Sequence, residues 1–217
     1  MNSRYAVKES FLTLQGEGIQ AGRRAVFIRF AGCNLWNGRE ADREQAVCRF
    51  CDTDFVGIEG ENGGRFSARE LADQAYQLWL GGLEKRYQDI PPFAVLTGGE
   101  PLLQVDNALL EALKMHGFEI AIETNGTQPV PEGVDWVCMS PKAGGEIVLE
   151  KGNEIKLVWP QIGIDIEGLE QLDFDHYLIQ PMDSDQSEAH LQEAIAFVMK
   201  RPLWRLSVQT HKLIGVK

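Results

Sequence analysis

Three cysteines carry the strongest chemical signal in this chain. Cys33, Cys48 and Cys51 stand in the stretch AGCNLWNGREADREQAVCRFCDTDF with the spacing C-x14-C-x2-C. Three thiolates can hold an iron–sulfur cube and leave its fourth iron open to a small chelating molecule, an arrangement suited to catalysis rather than electron storage. The same spacing also suits a zinc knuckle completed by a fourth ligand elsewhere. Phe50, inside CRFC, reads either as a buried aromatic or as a ring laid against a flat heterocycle at the free iron. The fourth cysteine, Cys138, sits in the apolar run VDWVCMS and reads as a core residue.

Two further motifs have residue types suited to ligands. Thr-Gly-Gly-Glu-Pro at 97–101 follows the apolar run FAVL directly. Its paired glycines permit either a close backbone approach to a ligand or a simple turn. Asp52, Thr53 and Asp54 follow the last motif cysteine. They offer hard oxygen donors of the kind magnesium takes, and the same residues suit an Asx-type turn.

These residues need elements to position them. Apolar runs rich in β-branched and aromatic residues predict strands at 25–31, 93–97, 118–124, 134–139, 154–159, 176–181 and 204–209. Tyr5–Leu14 alternates more and suits an edge strand of a leading hairpin. A capping box from Ser67 to Glu70 starts one helix. A second is expected over about 105–116, ending at Gly117, and a third over about 187–200 with Pro202 beyond it. Strand–helix alternation implies right-handed crossovers and a parallel sheet. The expected fold is α/β, an incomplete TIM-like barrel of about six parallel strands with a leading β-hairpin. In such folds ligands gather where strand C-termini meet the following loops, and the motifs above fall there.

With 217 residues the chain suits one domain, 1–217, with the cluster loop at 32–55. Its formal net charge is −11, from 32 acidic and 21 basic residues. A surface of that sign argues against nucleic acid as a partner and makes basic residues near the motifs more informative. The first residues, MNSRYAVKES, are too polar for a signal peptide, and no apolar run reaches the roughly 20 residues of a membrane span. The expectation is a soluble cytoplasmic protein with reduced thiols and no membrane partner.

The C-x-Phe-Cys end of the cysteine motif and TGGEP resemble radical S-adenosylmethionine enzymes. Adding LQGEG at 14–18, FAGCNLW at 30–36, CDTDF at 51–55, ETNG at 123–126, SPK at 140–142, QPMD at 180–183 and QTHK at 209–212, the whole chain resembles the 7-carboxy-7-deazaguanine synthase family. One departure from the superfamily is the first gap of fourteen residues, where three is usual. The resemblance is to the subset of the family with an enlarged loop, and the insert GREADREQA is expected to cap the cluster as a short helix.

The resemblance implies ring contraction of 6-carboxy-5,6,7,8-tetrahydropterin to 7-carboxy-7-deazaguanine with loss of ammonia. It implies a 4Fe-4S cluster on Cys33, Cys48 and Cys51, S-adenosylmethionine on the open iron, Mg²⁺ at Thr53, and an external flavodoxin-like one-electron reductant. It also implies a homodimer. Substrate contacts carry over to Leu14, Gln15, Gly16, Glu17, Arg29 and Thr97. For Arg29 the role is pairing with the substrate carboxylate, against the plainer reading of a solvent-facing strand arginine. Contacts to S-adenosylmethionine carry over to Phe50, Cys51, Asp52, Gly99, Ser140, Pro141, Lys142, Gln180, Pro181, Met182 and Asp183. The tail, QTHKLIGVK, is implied to fold over the substrate, with the α-carboxylate of Lys217 as the contact. General experience with chain ends favours fraying instead.

Overall fold

The computed structural model describes residues 4–217, so the first three residues of the expected domain lie outside it. Nine strands form one sheet: β1 (Tyr5–Leu14), β2 (Arg24–Phe30), β3 (Gly64–Phe66), β4 (Phe93–Gly98), β5 (Glu119–Thr124), β6 (Trp136–Met139), β7 (Lys151–Trp159), β8 (Asp173–Pro181) and β9 (Trp204–Leu206). Their spatial order is β3-β1-β2-β4-β5-β6-β7-β8-β9. From β2 onward every neighbouring pair is parallel, which gives seven parallel strands where the sequence suggested about six. The leading hairpin is β1 with β2, joined antiparallel from Val7↔Phe30 to Leu14↔Arg24. The short β3, which no apolar run announced, adds antiparallel to the outer edge of β1.

The helices form where local chemistry dictates. α1 (Ala68–Leu80) begins with the capping box: the Ser67 N–H donates to Glu70 at 2.7 Å, and the Ser67 hydroxyl accepts from the Glu70 N–H. α2 (Asn107–Met115) starts after Asp106, whose carboxylate accepts from the Leu109 N–H at 3.1 Å. α3 (Ile166–Leu169) is a single turn, and α4 (Ser187–Lys200) is the third expected helix. The final strand stops at Leu206, short of the expected 209, and the tail continues as α5 (Thr210–Ile214) rather than fraying.

Strand alternation divides the sheet chemically. Val26, Ile28, Phe30, Leu96, Ile120 and Ile122 are completely buried, packed with Leu71, Ala75, Leu109 and Leu113 of α1 and α2 in one core. A second core gathers Ile155, Leu157 and Ile179 with Ala194 of α4 and Trp204. Residues one step out of phase are polar and point the other way: Glu9, Arg29, Thr97, Glu123 and Lys156 all line cavities. Among the described residues no helix is long and apolar enough to cross a membrane.

Candidate active site

Two adjoining cavities lie at the C-terminal ends of the parallel strands. The inner one, about 190 Å³, is lined by Cys33, Cys48, Phe50, Cys51, Gly99, Ser140, Lys142, Gln180, Pro181 and Met182, among others. The outer one, about 410 Å³, is lined by Leu14, Gln15, Gly16, Arg29, His211 and Lys217. Both are bounded by Glu17, Asp52, Thr53, Thr97, Glu123, Asp183 and Gln209, so they share a wall.

The three motif cysteines converge on the inner cavity. Cys48 is buried, Cys33 and Cys51 half-buried, and none is in a disulfide. Cys48 and Cys51 share a thiol hydrogen bond, which drives the Cys51 thiol down to about 6 and, with burial, pushes Cys48 up. Burial raises Cys33, whose sulfur accepts from the Leu35 N–H at 3.5 Å. Lys142 stands over the Phe50 ring and donates to the Ser140 carbonyl and hydroxyl at 2.6 Å each. Burial lowers its pKa, while the Cys48 and Cys51 sulfurs favour its charge. Three soft sulfur donors facing one cavity beside the half-buried Lys142 cation fit an anionic iron–sulfur group.

The loop that carries these cysteines is built around Trp36. The insert forms the short helix its composition suggested, of 3-10 type, over Glu40–Gln45. Arg43 within it lies 4.1 Å from the Trp36 ring and donates to the carbonyls of Arg49 and Cys51 at 3.0 Å. Trp36 in turn packs edge-on against Phe55. Asn34 is bound by Asn125 at 2.9 Å and donates to Thr127 at 2.7 Å, tying the loop to the ETNG turn.

The paired glycines serve the chain's own backbone. A Cβ at Gly98, where φ is +143°, would lie 2.3 Å from the Phe30 carbonyl oxygen. One at Gly99 would lie 2.2 Å from the Gly32 oxygen and 2.7 Å from the Cys33 Cβ. TGGEP thus lets the end of β4 close against the strand that delivers Cys33. Its Glu100, fully buried, accepts from the Leu102 and Asn125 N–H groups and the Thr124 hydroxyl at 2.7–3.0 Å. Burial raises its pKa.

CDTDF splits between two tasks. Asp54 accepts from the Val56 N–H at 3.1 Å, the Asx turn its sequence permitted, and pairs with Lys8 at 2.8 Å. Asp52 pairs instead with Lys212 at 2.9 Å. Thr53, between them, borders both cavities.

The outer cavity collects cations, which stand out in a chain of net charge −11. Glu9, Arg29 and Thr97 form one register row across β1, β2 and β4. Arg29 therefore faces the cavity rather than solvent. Gly16 is needed because His211 packs where its Cβ would be, 2.1 Å from Nδ1. The Thr210 N–H and hydroxyl both donate to the Gly16 carbonyl, at 2.9 and 2.8 Å, which docks the tail on the LQGEG turn. At the end of the tail the Lys217 ammonium pairs with Glu9 at 2.8 Å and Glu61 at 3.1 Å, and its main-chain oxygen accepts from the Thr13 hydroxyl.

Of the residues singled out in the sequence, Pro141 alone lines neither cavity; its carbonyl accepts from Gln161 at 3.2 Å. Sequence reasoning missed Glu9 and Lys156, and it placed Glu123, Gln209, His211 and Lys212 in motifs without giving them individual roles. The signal for Glu123 and Lys156 was a charge at alternate positions inside otherwise apolar strands.

A sheet whose polar face opens at the strand ends, with three thiols in one cavity and a second cavity of mixed charge beside it, defines a ligand-binding α/β enzyme whose thiols could hold a soft metal. No protein-family model matches the chain. It is 56% identical over 214 residues to the 7-carboxy-7-deazaguanine synthase of Bradyrhizobium diazoefficiens, covering 98% of this chain and 99% of that one. It is 54% identical over 213 residues to the 7-carboxy-7-deazaguanine synthase of Bordetella pertussis, with the same coverage. The crystal structure of QueE from Escherichia coli superposes with a TM-score of 0.68 at 29% identity, covering 96% of this chain and 95% of that one. The chain belongs to the 7-carboxy-7-deazaguanine synthase family.

Proposed function

We propose that the chain is a radical S-adenosylmethionine lyase that converts 6-carboxy-5,6,7,8-tetrahydropterin to 7-carboxy-7-deazaguanine with loss of ammonia. The observation that carries this reading is the shared wall: three thiols face one cavity, Arg29 and the LQGEG turn face the other. Cys33, Cys48 and Cys51 would hold the 4Fe-4S cluster, which when bound would supply the electron for reductive cleavage of S-adenosylmethionine. Phe50, Gly99, Ser140, Lys142, Gln180, Pro181, Met182 and Asp183 orient that cofactor within the inner cavity. Pro141 serves by fixing the backbone between Ser140 and Lys142.

In the outer cavity Arg29 pairs with the pterin carboxylate. Glu17, with Leu14, Gln15 and Gly16, receives the guanidine-like ring edge, and the α-carboxylate of Lys217 approaches the same edge. Thr53, a hydroxyl at the boundary of both cavities, is the Mg²⁺ ligand. The open nine-stranded sheet is read as an incomplete barrel, because the turn after β1 donates to Ser207 and Glu154 and accepts from Gln209 at its far side. The enzyme works in the cytoplasm as a homodimer, reduced by a flavodoxin-like donor. Anaerobic incubation with 6-carboxytetrahydropterin, S-adenosylmethionine, dithionite and Mg²⁺ should give 7-carboxy-7-deazaguanine and 5′-deoxyadenosine; formation of neither would overturn the reading.

A further inference from the structure

Lys156, on β7, is a buried cation that no role above uses. Its side chain is 4% exposed, and its ammonium lies 2.7 Å from Glu17 Oε2 and 2.8 Å from Glu123 Oε2. These two carboxylates come from the turn after β1 and from the end of β5, and both face the wall shared by the cavities. Gln209 donates to the other oxygen of Glu17 at 2.8 Å, and Gln15 to the other oxygen of Glu123 at 3.2 Å. The charged and titratable groups facing this set are Glu123 from β5, Cys138 from β6, Glu154 from β7 and Lys142 beyond β6. Glu154 is held by the Ile19 N–H at 2.8 Å.

A buried ammonium between two carboxylates is costly unless it is held by both, and a carboxylate there is costly without it. Burial works against ionised Glu17, but the Lys156 charge together with hydrogen bonds from Lys156, Gln209 and Gln180 outweighs it and holds the carboxyl at about 2. Burial pushes Glu123 up against the Lys156 charge, and Glu154 and Glu17 reinforce the rise. The wall thus presents the Glu17 carboxylate in its ionised form, a match for a ring edge of N–H donors.

We propose that Lys156 is a positioning residue for the substrate: it fixes Glu17 in place and in charge so that the carboxylate can receive the N–H-rich edge of the pterin. The proposal rests on the reading given under Proposed function. The test is equilibrium binding of 6-carboxytetrahydropterin to cluster-loaded enzyme without reductant, as a function of pH. Removing the cation raises the Glu17 pKa, so in Lys156→Met the acid limb of the affinity profile should move to higher pH and the affinity should fall by at least about tenfold. Lys156→Arg should return the limb towards its wild-type position. Glu17→Gln should abolish the limb, and the double variant Glu17→Gln/Lys156→Met should bind no more weakly than Glu17→Gln alone. If Lys156→Met does not fold, the Arg and Gln variants decide: a limb that persists in Glu17→Gln overturns the proposal, as does an unshifted limb in folded Lys156→Met. Wild-type enzyme that cleaves no S-adenosylmethionine when reduced would strike the functional reading itself, whereas intact cleavage with a failed limb strikes only the role of Lys156.

Discussion

Arg29 donates through Nε to Glu9 Oε1 at 2.9 Å, and the two are register partners on antiparallel β2 and β1. The other Glu9 oxygen takes the Lys217 ammonium at 2.8 Å. Burial favours the neutral form of Glu9, yet its bonds to Lys217 and Arg29 hold it below the ordinary range. Glu9 therefore orients Arg29 by one nitrogen and leaves the fork of terminal nitrogens as the edge suited to a carboxylate.

Arg29→Ala is expected to weaken pterin binding by about 2–3 kcal/mol, the worth of a charge-assisted pair lost in a partly enclosed site. Binding of S-adenosylmethionine should be unchanged, because Arg29 lines only the outer cavity. Titration of both ligands against the variant checks this. Equal losses in the two affinities would make Arg29 a support of the fold.

Thr53→Ala should abolish the stimulation of turnover by Mg²⁺ while leaving iron content intact. The neighbouring carboxylates are already engaged, Asp54 in its turn with Lys8 and Asp52 with Lys212, which leaves the hydroxyl between them. Turnover measured with and without added Mg²⁺ decides the point. An unchanged magnesium dependence would return CDTDF to a purely structural role.

The strands and the long helices were legible because burial on both faces leaves a compositional mark, as in FAVL at the start of β4 or FEIAI in β5. Cys33, Cys48 and Cys51 were legible because their spacing is rare and their chemistry narrow. Glu123 and Lys156 were not, since a charge inside a strand gains meaning only when register shows what stands opposite it. Lys212 was hidden for a different reason: its partners Asp52 and Asp183 are 160 and 29 residues away, and only the fold joins them. The insert was legible as a short helix, but its composition does not reveal that Arg43 will be drawn onto Trp36.

Iron and sulfide should be nearly lost in Cys33→Ala, Cys48→Ala and Cys51→Ala, and kept in Cys138→Ala. Cys138 is 1% exposed, and burial raises its thiol well above the ordinary value, the state of an inert core cysteine. Metal and sulfide analysis after anaerobic reconstitution checks all four. Full cluster retention in any of the first three would remove that residue from the ligand set, and zinc in place of iron would favour the knuckle.

The last expectation concerns the tail. The Lys212 ammonium joins Asp52 at 2.9 Å to Asp183 at 2.5 Å, clasping the cluster loop to the end of β8 across the mouth of the outer cavity. All three side chains are well exposed, so the clasp adds little to global stability, under about 1 kcal/mol. Its effect should appear in binding, because Gln209, His211 and Lys217 of the same segment line the cavity. The hydrogen bond from Lys212 lowers the Asp183 pKa, so this ion pair is present above the ordinary carboxylate range and lost only as pH falls through the lowered value. At the alkaline end burial opposes the Lys212 charge, but Asp183 and Asp52 raise its pKa, so the pair persists below the ordinary lysine range and is lost above it. Lys212→Ala should therefore raise the pterin KM by about 3- to 10-fold throughout the neutral range, with a smaller change in kcat. Added salt should raise the wild-type KM and leave that of the variant nearly flat. A tag appended after Lys217 should raise KM in the same way, by displacing the segment from Gly16 and Thr13. Unaltered KM in both the variant and the tagged enzyme would mean that the ordered tail plays no part in holding substrate.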